Sequence, residues 1–162
     1  MIRRHVVFLF GCFFAVGLSM AQAAPAEDPV LGTWKLNAEK STFTPGPGWR
    51  SQTRVYRAVP TGVLVSWSGV DAGGGRMQVD YIYQYDGHDY PMKGSAVYDT
   101  LNAVRVDART VRSEEKRDGK IAGVAVRSVS PDGKVLTITD DGTNRKGRKF
   151  SQVLVFDREA AN

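Results

Sequence analysis

Residues 61–85 read TGVLVSWSGV, DAGGG, RMQVDYIYQY, so apolar and polar residues alternate with a period of two on both sides of a glycine-rich break. No feature of the chain constrains its fold more. Side chains of an extended strand point alternately to opposite faces, whereas a helix would need apolar spacing of three and four. If Val70 faces Arg76, Trp67 falls opposite Val79, Val65 opposite Tyr81, and Val63 opposite Tyr83. All six are apolar or aromatic and share one face, and a one-residue slip would spoil the match.

Downstream turns extend the same reading. Asp118-Gly119 has the composition of a two-residue type I′ turn and is expected to set Val111 against Val126 and Ser113 against Val124. Ser130-Pro131-Asp132-Gly133 presets a three-residue loop that pairs Val126 with Ile138 and Ser128 with Leu136. Asn144-Arg145-Lys146-Gly147 repeats the design, pairing Ile138 with Leu154 and Leu136 with Phe156. A turn at Asp107-Ala108 sets Val104 against Val111. The predicted apolar face then runs through Val104, Val111, Val124, Val126, Leu136, Ile138, Leu154 and Phe156, while the opposite face carries Arg105, Arg112 and Arg127 with Glu114 nearby and is solvated. One-sided antiparallel sheets curl to bury the apolar side.

Further strands are expected at residues 31–37, 52–59 and 88–92. The fold class is therefore all-β, an antiparallel up-and-down meander of eight to ten strands closed into a barrel, which leaves no free edge. A two-sheet sandwich is the rival, and the short sequential connections favour the barrel.

The N-terminus, MIRRHVVFLFGCFFAVGLSMAQA, has basic Arg3 and Arg4, an apolar run and small residues at Ala21 and Ala23. This is the pattern of a cleavable signal peptide over residues 1–23, and it predicts a periplasmic or secreted protein. A membrane anchor and a lipoprotein acylated at Cys12 compete with it, but the run is short for a span and apolar residues continue past Cys12. Cleavage removes Cys12, the only cysteine, and His5, one of two histidines. Disulfides, a thiolate nucleophile and cysteine zinc sites are thereby excluded. Without Arg3 and Arg4 the 22 basic residues become 20 against 17 acidic, a net charge of +3. Residues 24–162 suit one domain.

With LGTWKLN as first strand, the chain resembles the calycins, which include the lipocalins and fatty-acid-binding proteins and whose first strand carries Gly-x-Trp. The resemblance implies a barrel closed at one end by an arginine near the last strand packed across that tryptophan, here Arg158 on Trp34. From GTWKLNAEKSTFTPGPG through YDGHDYPMKG to SPDGKVLTITDDGTN the chain is also similar to small exported bacterial lipocalin-like proteins of uncharacterised activity. Two departures count against a fatty-acid carrier. Pro45 and Pro47 in STFTPGPGWRSQ disfavour the helical lid of that group, and Phe156-Asp157-Arg158 stands where its final strand has Arg-x-Tyr.

The stripe Trp67, Val79, Tyr81 and Tyr83, continued by Tyr85 and Tyr90 at the rim with His88, either lines a cavity for a small, largely apolar ligand or forms an ordinary packed core. His88 between Asp86 and Asp89 has the flanking carboxylates of a general base, but no serine or cysteine elbow lies near, so the stretch is read as a turn and no catalytic residue is assigned. One histidine and scattered aspartates give no zinc spacing, and Asp140-Asp141-Gly142 lacks calcium-loop alternation; no metal or cofactor is expected. Gly73-Gly74-Gly75 is a hairpin loop with no helix behind it to bind phosphate. Arg145, Lys146, Arg148 and Lys149 make a basic hairpin tip, either merely solvated or in contact with anionic envelope components; nucleic acid is not an expected partner of an exported chain. The leading expectation is a ligand-binding barrel, the second a filled barrel acting through its surface, and acid/base chemistry at His88 the third.

Overall fold

The computed structural model describes residues 27–160. The signal peptide expected over residues 1–23, with His5 and Cys12, lies outside the described residues. In chain order the strands are β1 (Gly32–Leu36), β2 (Thr42–Thr44), β3 (Trp49–Val59), β4 (Gly62–Asp71), β5 (Arg76–Tyr83), β6 (Tyr90–Pro91), β7 (Thr100–Arg105), β8 (Thr110–Arg117), β9 (Lys120–Val129), β10 (Val135–Thr143) and β11 (Lys149–Arg158). A single 3-10 turn, Ala38–Lys40, follows β1, capped by the Asn37 side chain. No α-helix occurs among the described residues.

All pairings are antiparallel, and the order around the sheet is β5-β4-β3-β1-β11-β10-β9-β8-β7-β6, with β2 added on β11. This is the expected meander, in which β1 lies between β3 and β11 and so joins the two ends of the chain. The far ends of the sheet, β5 and β6, meet through one bridge, where Asp80 and Lys93 exchange backbone hydrogen bonds of 3.0 and 3.1 Å. Gly94 makes that approach feasible: its φ is +83°, and a Cβ there would lie 2.2 Å from the Gln78 carbonyl oxygen. The barrel is thus nearly closed, with a thin seam between β5 and β6.

The β4–β5 register is the expected one, with Trp67 opposite Val79, Val65 opposite Tyr81 and Val63 opposite Tyr83. The β10–β11 register likewise places Leu136 opposite Phe156 and Ile138 opposite Leu154. Between β8 and β9 the expected pairing fails. The ladder starts at Arg117–Lys120 around the Asp118-Gly119 turn, but β9 then takes in one extra residue, so that Lys116 faces Ile121 while Glu115 faces Gly123. Beyond this bulge Val111 faces Arg127 and Ser113 faces Ala125.

Two longer turns shift the neighbouring ladders in the same sense. Ser130 pairs through its N–H with the Val135 carbonyl, making the loop four residues long and setting Leu136 against Val129 and Ile138 against Arg127. At the β7–β8 turn, Arg105 rather than Val104 faces Val111. Because side chains alternate, each slip exchanges faces. Val104 is consequently exposed, Val124 and Val126 lie on the outer side, and Gly123, Ala125, Arg127 and Val129 point inward. Arg112 and Glu114 stay outside as expected, and Arg112 pairs with Glu114 at 2.9 Å, whereas Arg105, expected on the solvated face, now shares the face of Val111 and reaches Asp28 and the Tyr85 ring at the rim.

Candidate functional site

One end of the barrel is sealed by side chains from both chain ends. Arg158 lies over the Trp34 ring at 4.1 Å from its centroid, and its guanidinium donates to the carbonyls of Gly133 (2.5 Å), Leu31 (2.6 Å) and Pro29 (2.5 Å). Trp34 is fully buried and gives its indole N–H to the Val30 carbonyl at 2.7 Å. Every polar group of this floor is therefore paired.

Above the floor the interior turns polar. Arg127 is buried and donates to the hydroxyls of Tyr83 (2.6 Å) and Tyr85 (2.9 Å), with its guanidinium 5.1 Å from the Tyr56 ring centroid. Tyr85 in turn bonds Asp28, which also accepts from Arg105 at 2.9 Å. Burial raises the Asp28 carboxyl, but the Tyr85 and Val30 hydrogen bonds and the Arg127 charge outweigh it, and the net effect is a lowered pKa. Arg127 is thus charge-balanced through Tyr85 by a carboxylate.

Midway along the barrel, Arg54 donates to Gln52 Oε1 at 2.8 Å and lies 5.2 Å from the Trp67 ring centroid. Nearer the other end come Glu115 from β8 and Asp140 from β10. Burial pushes both carboxyls above their ordinary values, for Glu115 with the nearby Asp140 adding to the effect, while Arg54 opposes it in both. Gln152 Nε2 donates to Asp140 Oδ2 at 2.7 Å. Tyr98, from the loop before β7, closes this end; burial and the neighbouring Asp140 and Glu115 raise its hydroxyl.

These groups enclose a cavity of about 50 Å³, lined by Arg54, Tyr56, Tyr81, Glu115, Arg127 and Asp140 along with Leu101, Ile138 and Leu154. Such a space admits a few water-sized groups and falls well short of the several hundred Å³ usual for drug-sized ligands. Among the described residues, four buried side-chain atoms have no hydrogen-bond partner: Tyr98 Oη, Glu115 Oε2, Arg127 Nε and Asp140 Oδ1.

Of the residues singled out from sequence, Trp67, Val79 and Tyr83 are buried and Tyr81 is half-buried, all on the inner face, and Tyr81 and Tyr83 line the cavity. Tyr85 and Tyr90 are half-buried, Tyr85 within the Asp28 network. His88 lies apart, its side chain 80% exposed and 3.1 Å from Asp86. Asp86 also receives the His88 N–H and the Tyr90 hydroxyl, which hold its carboxyl down to about 2. This is a surface turn in which the aspartate organises the backbone. At the basic tip, Arg145 is tied to Asp99 and the Ala96 carbonyl, while Lys146, Arg148 and Lys149 are exposed. No group of three His, Cys, Asp or Glu side chains able to hold a metal occurs among the described residues, and no helix there is long and apolar enough to cross a membrane.

Sequence reasoning missed Arg54, Tyr98, Glu115, Arg127 and Asp140. The period-two face already containing Leu136 and Ile138 continues to Asp140, and that containing Val111 and Ser113 continues to Glu115, so a signal existed for these two. The β9 bulge hid Arg127, and Tyr98 reaches the interior from a loop.

No protein-family model and no curated protein matches this sequence. Solved structures similar in shape include the following two. The zebrafish ileal bile-acid-binding protein complexed with cholic acid has a TM-score of 0.47 and 8% identity, covering 81% of this chain and 99% of its own. The siderocalin Ex-FABP has a TM-score of 0.34 and 13% identity, covering 82% of this chain and 77% of its own. At these values neither likeness transfers a ligand to this chain.

Proposed function

We propose that this chain is an exported, calycin-like binding barrel whose interior receives a small polar molecule, or the polar head of an amphipathic one, by non-covalent contacts and without catalysis. The observation that carries this reading is the set of unpartnered buried polar atoms. Three of them belong to side chains lining one cavity, and the fourth, Tyr98 Oη, lies beside Glu115. Each costs about 1–3 kcal/mol when left unsatisfied, and buried polar groups are otherwise nearly always paired. A barrel kept only for its stability has apolar side chains available for these positions, as Leu154 and Ile138 fill theirs. The polar lining narrows the ligand from largely apolar to one that offers hydrogen bonds. The Arg3, Arg4 and apolar-run pattern at the N-terminus supports export to the periplasm or beyond.

Native mass spectrometry of protein isolated from its own compartment tests the reading; a retained, low-mass polar species is expected. A bare polypeptide mass, together with a crystal structure in which ordered water alone satisfies the four atoms, overturns it. The smallness of the cavity favours a second reading, a filled barrel that acts through its surface. Lys146, Arg148 and Lys149 at the exposed tip then bind an anionic envelope surface, and association with anionic vesicles must weaken with salt and on Arg148→Ala. Association indifferent to both removes it.

A further inference from the structure

The loop before β7 lays the Tyr98 hydroxyl against a glycine pair. Gly123 and Gly142 face each other across β9 and β10, and a Cβ on either would lie 2.3 Å from Tyr98 Oη. The same point over Gly123 is 3.0 Å from Glu115 Oε2. Asp140 stands two residues before Gly142 on the same face of β10, with Oδ2 held by Gln152 and Oδ1 left unpartnered. Three oxygens from three elements, Tyr98 Oη, Glu115 Oε2 and Asp140 Oδ1, are thus withdrawn from solvent, and none has a hydrogen-bond partner among the described residues. Tyr98 is only 6% and Asp140 only 9% exposed.

We propose that these three oxygens receive a protonated primary amine of the ligand. An ammonium group has three N–H donors and no acceptor, and each of the three oxygens can accept one of them. Calcium would ask for six or more oxygens and zinc for histidine or cysteine, so a dedicated metal site suits this set poorly. With both carboxyls ionised, the Arg54 guanidinium balances one of them and an arriving ammonium balances the other. The glycines leave the room that the Tyr98 hydroxyl needs to face the pair. The inference rests on the interior-binding reading and names its ligand class, a small amine.

Methylammonium is small enough for the existing cavity and serves as the probe. Saturable binding to the purified protein, followed by ligand-observed NMR, is expected. It should fall by about tenfold, equivalent to about 1.4 kcal/mol, in the Glu115→Gln/Asp140→Asn variant, and weaken in Tyr98→Phe. Tetramethylammonium, with the same charge and no N–H, should not compete. Unfolding curves of each variant show whether it is folded at the assay temperature, and Tyr98→Phe, which deletes one atom, supplies the test if the double variant is not. Methylammonium binding that is unsaturable, or unchanged in these variants, overturns the inference and leaves the carboxyls sharing a proton. A retained polar species that carries no amine overturns the inference while leaving interior binding intact, and a bare, water-filled barrel overturns both.

Discussion

Replacing Arg158 by methionine keeps most of its packed alkyl length and deletes its fork of donors. Three carbonyls, of Gly133, Leu31 and Pro29, lose a charged partner at 2.5–2.6 Å, and the Trp34 face loses a cation at 4.1 Å. Hydrogen bonds to charged groups contribute roughly 1.5–3 kcal/mol each, but the site is only half-buried and water can reach part of what is exposed, so about 1 kcal/mol each is reasonable. A cation on an indole at such a site adds about 1 kcal/mol. The expected loss is about 4 kcal/mol, which for a domain of this size lowers Tm by roughly 15 °C. Urea unfolding followed by tryptophan fluorescence should show the midpoint fall with an unchanged m value. Arg158→Lys, which keeps the charge and loses the planar fork, should recover less than half. A loss below about 1 kcal/mol, or full recovery with lysine, would refute the view that Arg158 joins the two chain ends through its fork.

Three further outcomes can be checked. Gly123→Ala puts a Cβ 2.3 Å from Tyr98 Oη and 2.8 Å from Tyr98 Cζ and should cost about 1–3 kcal/mol by overpacking; adding Tyr98→Leu, which removes both atoms, should cost less than the sum of the single changes, and strictly additive effects in the double-mutant cycle would contradict the contact. Burial and Asp140 raise the Glu115 carboxyl well above its ordinary value of 4.5. Its contribution to stability is therefore full below that ordinary value and lost as pH rises through the folded one. Glu115→Gln should flatten that decline and be the more stable form at neutral pH, which urea midpoints across a pH series will show or deny. Asp28 has the opposite sign: its folded pKa is lowered, so its contribution is present above the ordinary 3.8 and lost as pH falls through the folded value. Asp28→Asn should weaken the protein at neutral pH and remove that acid-side slope; an unchanged slope would assign acid sensitivity elsewhere.

The candidate site was legible in part, and particular residues show why. Trp67, Val79, Tyr81 and Tyr83 could be placed on the inner wall because the β4–β5 loop keeps the two-residue period intact on both sides. Glu115 and Asp140 followed from the same period but look like solvent-facing residues to any reading that assumes polar means outward. Burying them is costly, and it is offset in part by the Arg54 charge and, at Asp140, by the Gln152 hydrogen bond, partners from other strands. Arg127 went to the wrong face because one extra residue in β9 inverts everything after it, and a bulge costs too little locally to leave a strong mark in sequence.

By itself, the sequence determined what local physics can decide: strands from two-residue alternation, turns from Asp-Gly and Asn-x-x-Gly, and a meander whose apolar faces had to curl inward. Only the tertiary structure decided which polar residues the closed barrel would hold. That choice depends on a one-residue register and on partners far apart in the chain, Asp28 with Tyr85 and Arg127, or Tyr98 with Glu115 and Asp140. Their free energy exists only once the sheet has closed around them.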